Sequence, residues 1–147
     1  MTSGERTVAE QAVAEARQWL GTPYRHQASL KGAGADCLGL LRGVWRAVYG
    51  AEPMVVAPYT PDWSEASGRE ELLDAALWLL RPCAPVFAAG DVLVFRMRAQ
   101  GVAKHLGIVS DGGASPRFIH AYSGHGVVDV ALTAPWQRRI AARLTFP

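Results

Sequence analysis

Cys37, His105 and His120 are the side chains of this chain whose types and surroundings could do covalent chemistry. Cys37 stands in GAGADCLGLLRGVW, between a glycine-rich stretch and an apolar run at helical spacing. A thiol in the first turn of a helix meets unpaired backbone N–H groups and a partial positive charge, and both favour thiolate over thiol. A nucleophile needs a base, and KHLGIVSDGGASPRFIHAYS carries two imidazoles flanking what reads as a hairpin. With its turn centred between Gly112 and Gly113, His105 falls opposite His120. Directly opposed residues share a face with Cβ atoms about 4.5–5.5 Å apart, so one ring can take the thiol proton while the other sets its orientation and tautomer. A one-residue bulge at Ser115 or Pro116 would instead put the rings on opposite faces.

Asp36, beside the nucleophile, works against it. A carboxylate at 4 Å opposes thiolate formation by about 1 kcal/mol in water-like surroundings, and the helix end favours it by about 0.3–1 kcal/mol. The two cancel, so activation is expected to come from an adjacent imidazolium, and His105 is expected to matter more than Asp36.

Each of these residues also has an ordinary structural role open to it. A cysteine on an amphipathic helix is more often core than nucleophile, and a strand histidine more often structural than a base. Zinc binding by His105, His120 and His125 is disfavoured, because the step from His120 to His125 crosses a glycine turn with no acidic ligand pattern beside it. No metal and no cofactor are expected. His26 and His125 read as loop residues near the cleft, and Tyr24, Tyr49, Tyr59 and Tyr122 as half-buried packing groups. Only two cysteines occur, which argues for reduced thiols, with Cys83 as a small buried apolar residue between Pro82 and Pro85.

The elements that must position the constellation follow from periodicity. Val8, Ala12, Val13, Ala16, Trp19 and Leu20 predict a helix from Glu5 to Leu20, capped by Thr2 or Ser3 and closed by Gly21 and Pro23. Residues 21–36 read as a loop. Leu38, Leu41, Val44, Trp45 and Val48 predict a helix over about Asp36–Tyr49, stopped at Gly50. Residues 51–64, with three prolines, form an irregular connection, and Gly68–Arg81 reads as a third helix stopped by Pro82. After Gly90, GDVLVFRM, KHLGIVS, RFIHAYS, GVVDVAL and AARLTF read as short strands. Helices followed by a meander of roughly five antiparallel strands predict an α+β domain with the helices on one face of the sheet. At 147 residues the chain is the size of a single domain spanning 1–147. A formal charge of +2 with scattered basic residues argues against nucleic acid, and Arg138, Arg139 and Arg143 read as solvated surface. The N-terminus has charge but no apolar stretch after it, so no export signal and no membrane association are expected.

From Ala16 to about Val130 the chain resembles the NlpC-type cell-wall peptidases, a papain-like cysteine peptidase family that cleaves peptide bonds in bacterial murein. GTPYRHQ is similar to the family's G-x-P-Y element, GADCLGLLRGVW to its D-C-S-G-L helix start, and APVFAAGDVLVFR to the G-D segment opening the sheet. KHLGIVS is similar to the H-V-G-I strand, and FIHA to the strand with the third polar residue. The resemblance implies a papain-like α+β fold with Cys37 as nucleophile, His105 as base and His120 as orienting residue. It also implies Tyr24 in the cleft near the oxyanion side, and Asp36 and position 38 at the free amino end of a stem peptide. The chain departs from the pattern at Leu38, where the family has serine; this loosens the assignment of the cleaved bond, by analogy that between γ-D-glutamate and diaminopimelate.

The wording of GTPYRHQ and DCLGLLRGVWR is similar, more narrowly, to the branch found in tail modules of phages and gene transfer agents. This implies a protein made in the cytoplasm, assembled into a phage-like tail beside a hub or baseplate protein, and delivered to peptidoglycan without secretion. Two rival readings keep the fold: a structural tail-tip component with weak or no catalysis, and an acyltransferase on lipids. The second lacks any amphipathic membrane helix or apolar lid.

Overall fold

A computed structural model describes residues 6–54, 68–83 and 85–147. The elements run in the order α1 (Val8–Gln18), β1 (Ser29–Leu30), β2 (Gly34–Ala35), α2 (Cys37–Tyr49), α3 (Glu71–Leu79), β3 (Arg81–Pro82), β4 (Val92–Phe95), β5 (His105–Asp111), β6 (Arg117–Tyr122), β7 (Gly126–Ala131), α4 (Ala134–Arg138) and β8 (Ile140–Thr145). β1 and β2 form a small antiparallel ribbon, and the other six strands form one antiparallel sheet in the order β3-β8-β4-β5-β6-β7. No helix among the described residues is long and apolar enough to cross a membrane.

The α+β layering follows the expectation, with differences in detail. The sheet has six strands rather than about five, because Arg81 and Pro82 pair with Thr145 and Leu144 at the sheet edge. Pro82 stops α3 and also starts an edge strand, the position in a sheet where a missing N–H costs least. The ribbon β1–β2 lies in what reads as a loop, and Tyr24 bridges to Ala35 beside it. α1 starts at Val8, not Glu5, because Thr7 closes a capping box with Glu10; the proposed caps Thr2 and Ser3 lie outside the described residues. α3 spans Glu71–Leu79, shorter than Gly68–Arg81, and Glu70 at its start caps nothing because its carboxylate is committed to Arg96 and to the Ala103 N–H. Most of the proline-rich connection at 51–64 lies outside the described residues, as does Tyr59.

α1 and α2 cover one face of the sheet. Ala12, Ala16, Trp19, Leu40 and Val44 pack there against Val92, Val94, Leu106, Ile108, Ile119 and Ala121. Each fully buried aliphatic side chain contributes about 1.5–3 kcal/mol relative to exposure, so this layer fixes where the start of α2 sits. The other face carries a second cluster of Leu93, Phe95, Val109, Phe118 and Leu132, with Trp136 of α4 packed against it. Strand alternation sends Leu106 and Ile108 to the first layer, and His105, Gly107 and Val109 to the second.

Candidate active site

Asp36 is the N-cap of α2: its Oδ1 accepts from the Gly39 N–H at 2.7 Å, and its Oδ2 accepts from the Gln27 N–H at 2.7 Å. The carboxylate is buried and ties the loop 22–36 to the helix start, with His26 Nδ1 3.8 Å from Oδ2. The loop can lie this close because position 39 is glycine; a Cβ there would fall 1.8 Å from the Ala28 carbonyl oxygen. Cys37 follows as the first helical residue. Its thiol donates to the Lys104 carbonyl at 3.8 Å, and the backbone N–H groups of Leu106, Leu38 and Cys37 itself also bear on the sulfur. The start of α2 therefore meets the start of β5 on both sides of His105.

His105 and His120 are joined directly, Nε2 to Nδ1 at 2.8 Å, with ring centroids 5.0 Å apart and planes at 73°. The hairpin register that brings them together is not the one expected. Asp111 pairs with Arg117 across the turn, the ladder shifts between Val109 and Asp111, and Ile108 then faces Ile119. Carried along the strands, this places Gly107, not His105, opposite His120. The bulge falls at Ser110, not at Ser115 or Pro116, and the net slip from the expected pairing is two residues, so both imidazoles stay on one face. The rings meet diagonally over Gly107, where a Cβ would fall 2.7 Å from Phe118 Cδ2 and 3.2 Å from His120 Cβ.

The electrostatics differ from the expectation of a thiolate beside an imidazolium. Although part of Cys37 reaches solvent, burial of the sulfur pushes the thiol up to about 12, and Asp36 adds to the rise; the three backbone N–H groups pull the other way without prevailing. Burial, and then His120, pushes His105 down to about 3, and burial, and then His125, pushes His120 down to about 4. Burial rather than the helix end thus sets the direction of each shift, toward a neutral thiol and toward neutral imidazoles.

Tyr24 is half-buried, and its hydroxyl is raised by burial and then by Cys37 and Asp36, which places it in the electrostatic field of the thiol. Leu38 is half-buried against the first layer. His125 lies in the β6–β7 turn, stacked on Tyr122 at 5.5 Å. Cys83 is a free thiol like Cys37, half-buried rather than core. Arg143 is less solvated than expected, with its guanidinium 4.0 Å from the Phe87 ring centroid. Among the described residues no three His, Cys, Asp or Glu side chains converge as a metal would need. Three contributors have little or no signal in the sequence. The Lys104 carbonyl and Leu106 N–H have no side-chain signature, and Trp136, which packs on both imidazoles, was signalled only by Thr133-Ala134-Pro135, a helix start with proline in the first turn.

No protein-family model and no curated protein matches the chain by sequence. Solved structures share its fold. The NlpC/p60 domain of the peptidoglycan hydrolase SagA superposes with a TM-score of 0.61 at 23% identity, covering 94% of this chain and 98% of that one. An NlpC/P60 family protein from Bacillus cereus ATCC 10987 gives 0.63 at 17% identity, covering 97% of this chain and 41% of that one. A protein similar to lipoprotein, of the NLP/P60 family, from Staphylococcus aureus subsp. aureus Mu50 gives 0.58 at 20% identity, covering 99% and 43%. The chain thus spans less than half the length of these last two proteins.

Proposed function

We propose that this chain is a cysteine peptidase of the NlpC type that hydrolyses peptide bonds in peptidoglycan stem peptides. The observation that carries the reading is the 2.8 Å contact of His105 with His120 beside the thiol-bearing start of α2, on a fold shared with NlpC/P60 domains. In the proposed reaction the Cys37 S–H turns from the Lys104 carbonyl and passes its proton to His105 as Sγ bonds to the scissile carbonyl carbon. The C–N bond then breaks, the leaving amine takes the proton from His105, and water activated by the same ring hydrolyses the thioester. The backbone N–H of Cys37 supports the oxyanion, with Tyr24 on the same side of the cleft. Asp36 and Leu38 border the amino end of the peptide, and the bond attacked is that between γ-D-glutamate and diaminopimelate. Because the resting thiol is neutral, proton transfer and attack are coupled rather than sequential.

The setting we infer is a phage-like tail, assembled from protein made in the cytoplasm and seated beside a hub or baseplate partner. The support for this is the wording of GTPYRHQ and DCLGLLRGVWR alone. A second reading, a structural tail-tip component with weak or no catalysis, is favoured by the thiol held up at about 12 and bonded to a backbone carbonyl. Cys37→Ala incubated with purified muropeptides separates the two. Cleavage by the wild type and none by the variant supports the peptidase, unchanged cleavage by the variant overturns the assignment of Cys37, and no cleavage by either favours the structural role.

A further inference from the structure

We propose that Trp136 is a positioning residue for the His105–His120 pair, holding the two imidazoles at their mutual angle and out of water from the face of the sheet opposite α1 and α2. The inference rests on the reading of that pair as the base and its orienter. Alternation along β5 and β6 turns both rings away from the helix layer, so nothing on α1 or α2 can wall them off from behind. α4 does so instead. The Trp136 ring lies 5.8 Å from the His105 ring and 5.2 Å from the His120 ring, with planes at 35° and 83°. The same indole touches Phe95 at 5.3 Å, Phe118 at 5.2 Å and Tyr122 at 5.8 Å, so its own position is fixed by the second layer.

One side chain thus contacts both members of the pair at two different angles. An edge-on aromatic contact selects a ring orientation, which an aliphatic group of equal volume does not. Holding His120 edge-on keeps Nδ1 directed at His105, and covering both rings leaves them 7% and 2% exposed. The charged and titratable groups on the elements around the pair include Cys37 and Asp36 at the start of α2, Lys104 beside His105, Tyr122 and His125 at the β6–β7 turn, Asp111, Arg117 and Asp129 on β5, β6 and β7, and Arg138 and Arg139 at the end of α4, the Arg139 guanidinium lying 5.5 Å from the Trp136 ring centroid. With both rings buried, a proton arriving at His105 is disfavoured there and is passed on to the leaving group.

The test compares Trp136→Ala, Trp136→Leu and Trp136→Phe with the wild type in the full chain. Histidine NMR titrations and the pH dependence of Cys37 alkylation by iodoacetamide are measured beside muropeptide kcat and KM. Removing the indole is expected to raise the imidazole titrations by about one pH unit or more and to lower kcat roughly tenfold or more with KM little changed. Phe should restore most of both, and Leu, which fills space without an aromatic face, should not. Leu decides the matter if Ala does not fold. Folded Ala or Leu variants with wild-type titrations and alkylation profiles would overturn the proposal. The titrations need no cleavage, so a wild type inactive on muropeptides defeats the peptidase reading while the role of Trp136 is still decided.

Discussion

His105 Nε2 and His120 Nδ1 meet at 2.8 Å although the two residues are not partners across β5 and β6. A single proton must lie between them, and its ownership sets what His105 can do. For His105 Nδ1 to accept from the thiol, Nε2 must carry the proton and donate it, which makes His120 Nδ1 the acceptor and leaves the hydrogen of His120 on Nε2.

It follows that His120 is needed for its lone pair. An asparagine places a carbonyl oxygen where Nδ1 stands, so His120→Asn should retain activity within about tenfold of wild type, while His120→Ala should lose on the order of a hundredfold or more. Steady-state kcat on muropeptides reads the difference; equal loss in both variants would mean that the acceptor is not what matters.

The same burial shapes stability against pH. His105 and His120 are held far below 6.5 in the fold, so over the acid range the unfolded chain binds protons that the folded chain refuses. Their contribution is complete above about 6.5 and is lost as pH falls toward about 4 and 3, at about 1.4 kcal/mol per pH unit for each histidine kept neutral. Cys37 supplies the opposite limb: held at about 12 against 9.0, it stabilises below 9.0 and loses that contribution as pH rises toward 12. Denaturant midpoints should therefore form a plateau between about pH 6.5 and 9 and fall on both sides. A His105→Gln, His120→Asn double variant should flatten the acid limb. An acid limb of unchanged slope in that variant would place the titrating groups elsewhere.

Gly107 marks the space over which the rings meet. A methyl group there would crowd Phe118 Cδ2 at 2.7 Å, the Ile119 carbonyl oxygen at 3.0 Å and His120 Cβ at 3.2 Å. Gly107→Ala should cost about 1–3 kcal/mol of stability by overpacking and should move His120 off its partner. A parallel drop in denaturant midpoint and kcat is expected, whereas full activity at lowered stability would show that the pair tolerates the shift.

How much of this was legible in the sequence can be followed residue by residue. α2 was readable because Leu38, Leu41, Val44, Trp45 and Val48 lie on one stripe and Gly50 adopts the left-handed cap at φ 88°. β3 was not, because a proline that ends a helix and one that opens an edge strand look alike until the partner strand is known. The face shared by His105 and His120 was readable, but their register was not: a slip of two residues leaves the alternation unchanged and alters only which side chains oppose. The direction in which Cys37 shifts was also hidden, since the helix end is written beside the residue while burial of its sulfur is a product of the tertiary packing.

Asp36 separates a structural role from a substrate-binding one. Both of its oxygens already accept backbone N–H groups, from Gly39 and Gln27, so Asp36→Ala should cost about 1–3 kcal/mol through the lost cap and the stranded donors. Asp36→Asn keeps one good acceptor and should cost less. Both changes remove the negative charge that helps to hold the Cys37 thiol high, so the thiol should titrate lower in each, with alkylation by iodoacetamide speeding up at a given pH. If the carboxylate also binds the ammonium of a stem peptide, Asp36→Asn should raise KM for substrates with a free amino end far more than for N-acetylated ones. An equal change for the two substrates would confine Asp36 to capping the helix and tuning the thiol.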